Sequence, residues 1–205
     1  MNRGTRTTAT PTMLQKLSEL FGANRAPTGY RPGVTLEHLR RNLAVAGFAQ
    51  SGPSSAQITL DDGLQLEVVE RTESQLFMHL VMTEFVLRVP ALSEGTARFD
   101  LHHGGAIRRT AVRCRQRSGE HSLLVALEAG LQPGSALYQA LMPLDFKRLR
   151  IDLAQGQWCV RLEHMGGSEV VNRMPAFRRY IALSREQRAS LFAALAGLQR
   201  LLRTL

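Results

Sequence analysis

The sequence QLFMHLVMTEFVLRVP, residues 75–90, predicts one long β-strand at the centre of a sheet. Its first half is apolar at both alternating sets of positions, which is typical of a strand covered on both faces. Its second half alternates, so that Glu84 and Arg88 are expected to face solvent. The residues predicted to face the core are Phe85, Leu87 and Val89. Pro90 ends the strand, because proline lacks the N–H group that a ladder needs.

Shorter alternating segments flank this strand on both sides. Ile58 and Leu60 alternate before a turn at residues 61–63, and residues 50–56 are predicted to form a loop. Further strands are predicted over 64–68, 97–101, 106–117, 121–127, 147–153, 157–164 and 168–182. Gly166 and Gly167 are assigned to a hairpin turn. Because the connections are short, neighbouring strands should pair in antiparallel fashion.

Helical periodicity is concentrated near the two ends of the chain. Helices are predicted over residues 12–21, from a Thr35 cap to Gly47, and over 135–142. Ser184 and Gln187 form a capping box that opens a long C-terminal helix. Its leucines are spaced 4, 3, 4, 3 and comprise Leu191, Leu195, Leu198, Leu202 and Leu205. We expect this stripe to pack on the sheet, whereas an exposed stripe would form the seam of a homodimer.

These elements predict an α+β fold built on an antiparallel sheet of about eight strands. N-terminal helices accompany the sheet, and the long C-terminal amphipathic helix packs on it. Residues 1–11 are expected to be a flexible tail, residues 12–33 a helix and linker, and residues 34–205 a single α+β domain.

Cysteine content and hydropathy predict a cytoplasmic protein. Cys114 and Cys159 are too few for a disulfide framework and are expected to be reduced. No apolar run reaches the 18 residues of a membrane-spanning helix. No apolar segment near the N-terminus is followed by a small-residue cleavage site, so no secretory signal is predicted.

Two segments resemble parts of an uncharacterised bacterial family of unknown function. They are RPGVTLEHLRRNLAVAGF, residues 31–48, and NRMPAFRRYIALSREQR, residues 172–188, together about a sixth of the chain. The resemblance implies a bacterial cytoplasmic setting. It implies no mechanism and assigns no functional residue.

The basic residues are almost all arginine. Of the 26 basic residues, only Lys16 and Lys147 are lysines, and the net charge is +9. The planar guanidinium can bind a carboxylate or a phosphate through two parallel hydrogen bonds. The composition therefore favours an acidic partner, although a GC-rich genome also produces arginine-rich proteins.

Arginines recur at alternate positions in residues 106–117. Arg109, Arg113, Arg115 and Arg117 share one predicted strand face, and Arg148 and Arg150 extend a basic surface on another strand. This pattern predicts a non-enzymatic binding protein whose Arg-rich sheet face binds an acidic protein or a nucleic acid. Nucleic acid is the less supported partner, because no aromatic residue lies within the stripe to stack on bases. The alternative is a solvated face neutralised by carboxylates such as Glu120 and Asp152.

A second hypothesis is a small apolar ligand bound between a curved sheet and the C-terminal helix. The residues expected to line that pocket are Phe77, Met78, Met82, Trp158, Phe192 and Leu195. These residue types more often form core than a ligand site.

Enzyme signatures are absent from the sequence. It has no nucleophile elbow, no phosphate-binding loop and no dinucleotide fingerprint. Asp100 and His102 alternate beside His103, but no further segment has metal-ligand spacing. His79 is expected to be a core residue. We therefore predict no catalytic residue, no metal site and no cofactor.

Overall fold

The computed structural model describes residues 30–74, 78–105, 109–173 and 176–205, without the side chains of residues 173 and 176. The helix predicted over residues 12–21 and the predicted pocket residue Phe77 lie outside these ranges. The helices are α1 (Val34–Leu43), α2 (His121–Gly130), α3 (Ala136–Leu141) and α4 (Arg185–Leu202). The strands are β1 (Gly47–Gly52), β2 (Ser55–Thr59), β3 (Gln65–Ser74), β4 (Met78–Pro90), β5 (Ala97–Gly104), β6 (Ala111–Ser118), β7 (Phe146–Ala154), β8 (Gln157–Arg173) and β9 (Ala176–Ile181).

The nine described strands form one antiparallel sheet. The order is β1-β2-β3-β4-β8-β7-β5-β6, and β9 lies beside the second half of β8. The sheet is antiparallel and the helices pack on it, so the predicted α+β class is confirmed. β4 lies between β3 and β8, and Leu80, Val81 and Met82 are all buried, as the unbroken apolar run indicates.

One face of the sheet, here called the inner face, carries the hydrophobic core. Phe85, Phe99 and Trp158 are fully buried on it, together with the inward-facing residues of β7. The leucine stripe of α4 packs against this face, with Leu191, Leu195, Leu198 and Leu202 at 0% exposure. The stripe is therefore core and is not free to form a dimer seam. The four described helices all contribute buried apolar side chains to this one core.

Several local predictions from the sequence are wrong, and two of them concern whole segments. Residues 121–127 form α2 and not a strand, because Leu123, Leu124 and Leu127 contact the core with helical spacing although they lie within an alternating pattern. Residues 50–56 are the hairpin between β1 and β2, whose turn lies at residues 53–54. The residues here are mostly small and polar, so the sequence lacks the alternating apolar pattern that predicts a strand.

The start of α1 is fixed by a distant carboxylate. Gly33 and not Thr35 is the N-cap, and it has no side chain to bond the first turn. Glu70 of β3 accepts hydrogen bonds from the Gly33 and Leu36 N–H groups at 3.0 Å, and from the Tyr30 hydroxyl at 2.6 Å. A buried carboxylate therefore satisfies helix N–H groups that are usually capped locally.

The end of α1 also differs from the prediction. The helix closes at Ala44, in the left-handed region at φ 53°, and Gly47 already belongs to β1.

The Gly166–Gly167 segment forms a large bulge within β8 and not a hairpin. Residues 165–168 lie opposite the single residue Met82, between the pairs Thr83–His164 and Val81–Glu169. Gly167 has φ +89°, and a β-carbon there would lie 3.0 Å from Leu39 Cδ1. The bulge divides β8 into a first half that pairs with β7 and a second half that pairs with β9.

Polar side chains fill the gaps that the bulge leaves in the ladder. The Ser168 hydroxyl donates to the His164 carbonyl at 2.7 Å and accepts from the Thr83 N–H at 3.3 Å. His164 Nε2 accepts from the Asp145 N–H at 3.0 Å, and Nδ1 lies 3.1 Å from the Gly166 carbonyl. This arrangement requires the neutral tautomer with its proton on Nδ1. Burial lowers the pKa of His164 below 6.5.

We expect Gly167→Ala to destabilise the fold more than Gly134→Ala. Both glycines have positive φ, but a β-carbon added at Gly134 would meet no atom within 4 Å, so this position is the matched control. The backbone cost should be about 1–2 kcal/mol at each site. Crowding against Leu39 and Thr83 should add roughly 1–3 kcal/mol at Gly167 only. Chemical denaturation of the two variants measures the difference, and equal losses would contradict the packing of the bulge.

We expect His164 to make the fold sensitive to acid. The pKa of His164 in the folded state lies below its unfolded value. The stability that the neutral side chain provides is therefore complete above about pH 6.5, and it declines as the pH falls through that value toward the folded pKa. His164→Gln keeps a polar group but does not titrate. Denaturation midpoints measured from pH 8 to pH 5 should fall more steeply in the parent than in the variant. Parallel curves would show that His164 is not the titrating group.

Candidate functional site

The second face of the sheet, here called the outer face, is lined with charged side chains. Strand register and ion pairs place eleven cations on it: Arg71, Arg88, Arg98, Arg113, Arg115, Arg117, Lys147, Arg148, Arg150, Arg161 and Arg179. They also place six carboxylates there: Glu67, Glu73, Glu84, Asp100, Asp152 and Glu163. This described part of the outer face therefore has a surplus of positive charge.

The predicted arginine stripe is shorter than the sequence indicates. Arg113 and Arg115 extend from the outer face of β6, and Arg117 reaches the same face beside a bulge. Arg109 precedes β6, which begins only at Ala111. Its guanidinium instead bonds the Asp145 carboxylate at 2.7 Å.

Arg148 and Arg150 lie on the outer face of β7, as predicted. Arg148 pairs with Glu163 at 3.1 Å, and Arg150 pairs with Asp100 at 3.2 Å. Asp100 also accepts from Arg117 Nε at 2.6 Å. Burial opposes the ionisation of Asp100, but the hydrogen bonds from the two arginines outweigh it and lower its pKa. Asp100 thus fixes arginines from two different strands.

Asp152 has the same role at the end of the sheet. It accepts from Arg98 Nε at 2.7 Å and from Arg161 Nη1 at 2.8 Å. The hydrogen bond that Arg98 donates to Asp152 raises the pKa of Arg98. Of the two carboxylates expected to neutralise the arginines, Asp152 does so. Glu120 instead lies at the start of α2 and accepts from Ser122.

These paired arginines line an open groove of about 440 Å³. Its lining includes Arg88, Arg98, Arg161, Asp152, Cys159 and Ser118. Each guanidinium uses only part of its donors on Asp152 or Glu67, which leaves further N–H groups directed elsewhere. The groove is therefore a pre-formed cationic surface suited to carboxylate or phosphate oxygens.

Sequence reasoning missed the arginines of the groove. Alternation indicates that Arg88 faces outward, and Arg161 alternates with the buried Val160 and Leu162. That signal identifies the face of each residue. Alternation does not show that β4, β8, β7 and β5 are neighbours in the sheet. This strand order brings Arg88, Arg98 and Arg161 together.

Two carboxylates on the outer face are buried and directly opposite each other. Glu84 and Glu163 are paired across β4 and β8, and each is less than 10% exposed. Arg71 binds Glu84 at 3.0 Å, and Arg148 binds Glu163 at 3.1 Å. Burial raises the pKa of Glu163, and Glu84 adds to the rise while Arg148 opposes it. Glu163 and His164 face opposite sides of the sheet, so they do not form an acid–base pair.

Arg113 and Arg115 of β6, together with Arg179 of β9, differ from the other cations of the outer face. All three are exposed, and none has a carboxylate oxygen within 4 Å among the residues that the structure describes. The eight other cations of the face are each within that distance of a carboxylate. The uncompensated charge of the outer face therefore lies on two edge strands, with two arginines on β6 and one on β9.

The predicted metal-ligand candidates are not assembled as a site. Asp100 is occupied by two arginines, whereas His103 turns to the inner face, where its ring centroid lies 4.2 Å from that of Phe146. Burial lowers the pKa of His103. Within the described ranges, no group of three or more His, Cys, Asp or Glu side chains is placed to hold a metal ion.

The residues of the hypothetical apolar pocket lie on both faces of the sheet. Met78 and Met82 belong to the outer face by strand register, whereas Trp158 and Leu195 are fully buried in the inner core. Phe192 is partly buried against that core. Met82 and Trp158 therefore do not line one common cavity.

The two cysteines are free and occupy different faces. Cys114 faces the inner side of β6, and burial raises its pKa to about 12. Cys159 lines the groove on the outer face. Burial raises its pKa as well, but the charges of Arg161 and Arg88 oppose the shift.

We expect Cys159 to react with a neutral thiol reagent faster than Cys114. The groove gives the reagent access to Cys159, and the nearby arginines favour its reactive thiolate. Cys114→Ser and Cys159→Ser variants would each leave one thiol, so that its labelling rate can be measured in native buffer and in denaturant. A Cys114 rate near the denatured value would contradict its burial.

None of the four described helices combines the length and the apolar character that crossing a bilayer requires. Comparison with curated proteins and with solved structures finds no significant match to either. Residues 41–202 match a family described as Protein of unknown function (DUF3156). This region runs from the end of α1 to the end of α4 and includes all nine described strands. It covers most of the chain, and the protein therefore belongs to the DUF3156 family.

Proposed function

We propose that this protein is a non-enzymatic binding protein whose outer sheet face binds an acidic macromolecule. The observation that carries the proposal is the excess of cations on a face opposite the packed helices. A protein gains little stability from exposed like charges, so an excess of exposed arginines on one face is better explained by binding than by folding. We place the protein in the cytoplasm, where its two free thiols would stay reduced.

The carboxylates of the face support the proposal by ordering its arginines. Asp100 and Asp152 each hold two guanidinium groups from different strands. An arginine that is already ordered loses less conformational entropy when it binds an anion. The same carboxylates divide the positive surface into separate patches. Such a surface suits the discrete carboxylates of an acidic protein better than the continuous charge of a nucleic acid backbone.

We expect the double change Arg113→Gln with Arg115→Gln to weaken binding to acidic polymers without unfolding the protein. The probes are polyglutamate and duplex DNA, and the measurement is affinity as a function of salt. For DNA, the slope of log affinity against log salt should become shallower by about 0.9 for each phosphate contact that is lost. Thermal stability should change little, because both side chains are exposed.

The matched control is Arg40→Gln with Arg41→Gln. These two exposed arginines of α1 lie away from the outer face, on a helix that packs against the inner core, and their loss changes the net charge equally. If both double variants weakened polymer binding equally, the change in net charge alone would explain the effect, and the proposed binding face would be contradicted. Stronger retention of DNA than of polyglutamate would favour a nucleic acid partner over an acidic protein.

A further inference from the structure

In the part of the chain that the structure describes, β6 has a free edge at one end of the sheet. It is the terminal strand of the order, and within the described chain it pairs only with β5. On the free side of such a strand, every second residue presents an N–H and a C=O that no neighbouring strand satisfies. An extended peptide can complete this ladder by adding one further strand.

Two of the three uncompensated arginines of the outer face lie along this same edge. Arg113 and Arg115 occupy the outer face of β6 at a spacing of two residues, without a carboxylate partner in the described ranges. Successive same-face residues of a strand are about 6.6 to 6.8 Å apart. A neighbouring strand with acidic residues at alternate positions would repeat this spacing. Opposed side chains on adjacent strands have Cβ atoms about 4.5–5.5 Å apart, which is close enough for an ion pair.

The other sheet ends lack this combination. β1 has the sequence GFAQSG and contains no charged residue. β9 carries Arg178 and Arg179, but as adjacent residues they fall on opposite faces of the sheet. Among the described strands, β6 therefore combines an open edge with two unpaired arginines on one face.

We infer that β6 binds an extended acidic peptide of a partner protein as an added strand, with carboxylates at alternate positions facing Arg113 and Arg115. The inference rests on the proposed function and specifies its partner. Main-chain hydrogen bonds to β6 would supply the alignment, and the arginines would select acidic residues at every second position. The peptide would lie beside β6 and leave the groove at Arg98 and Arg161 free.

The test uses a fluorescent eight-residue peptide that alternates Glu and Thr. Its binding to the full-length protein is measured by anisotropy, and hydrogen exchange of the β6 amides is followed with and without peptide. We expect slower exchange in β6 on binding. The Arg113→Gln, Arg115→Gln double variant should lose at least tenfold in affinity, and the Arg40→Gln, Arg41→Gln control should lose less than threefold.

A second peptide separates strand addition from simple charge attraction. It has the same sequence but is N-methylated along its backbone, so it keeps its carboxylates and cannot form the ladder. We expect at least tenfold weaker binding than for the unmodified peptide. Equal binding of the two peptides, or unchanged exchange in β6, would overturn the inference and leave the proposed acidic-partner face in place. Failure of polyglutamate, DNA and both peptides to bind would overturn the proposed function as well.

A charge-reversed variant with a charge-reversed peptide distinguishes the loss of a specific contact from a loss of binding caused by misfolding. Arg113→Glu with Arg115→Glu should bind a peptide that alternates Lys and Thr and should reject the Glu peptide. If the parent binds no peptide and the double Gln variant self-associates in sedimentation experiments, these arginines protect the edge from aggregation. That outcome would also overturn the inference.

Discussion

The pairing of β4 with β8 is the constraint on which the rest of the structure depends. It joins residues 78–90 to residues 157–172, and every other strand is attached to one of these two directly or through a neighbour. The bulge at Gly166 and Gly167 makes the full length of this ladder possible. β8 has three more residues than β4 in this region. Without the bulge, this odd number would move every later side chain of β8 to the opposite face of the sheet. Because the three extra residues lie in the bulge, Glu169 still faces inward, where its carboxylate accepts a hydrogen bond from the Thr35 hydroxyl of α1.

The register of the central strands also determines the chemistry of the outer face. Once β7 lies between β8 and β5, Asp152 and Asp100 each come within reach of arginines from both neighbouring strands. Most arginines of the outer face are therefore held in ion pairs, whereas β6 has no acidic neighbour on its free side among the residues that the structure describes. β6 lacks a neighbouring strand on one side, so it lacks both backbone hydrogen-bond partners and nearby carboxylates there. The two uncompensated arginines of β6 and its open backbone therefore occur together.

Much of this arrangement follows from the sequence, because alternation identifies which residues share a face. It correctly predicts Phe85, Leu87 and Val89 in the core, the outward position of Arg113 and Arg115, and the capping box at Ser184. It fails at residues 121–127, where strand and helix periods both fit a short apolar run. It also fails at Gly166–Gly167, where a turn and a bulge require the same residue type. The strand order depends on contacts distant in sequence, so the cluster of Arg88, Arg98 and Arg161 could not be predicted.

The capping of α1 by Glu70 has a consequence for the order in which the protein folds. A helix of ten residues is marginal on its own, and this one lacks a local side-chain cap. Its first turn is completed by a residue 34 positions away, whose place depends on the pairing of β3 with β4. The helix therefore gains its stabilising contact only after these strands have met. We expect α1 to be unformed in the folding transition state and to become native late, although it precedes the whole sheet in the chain.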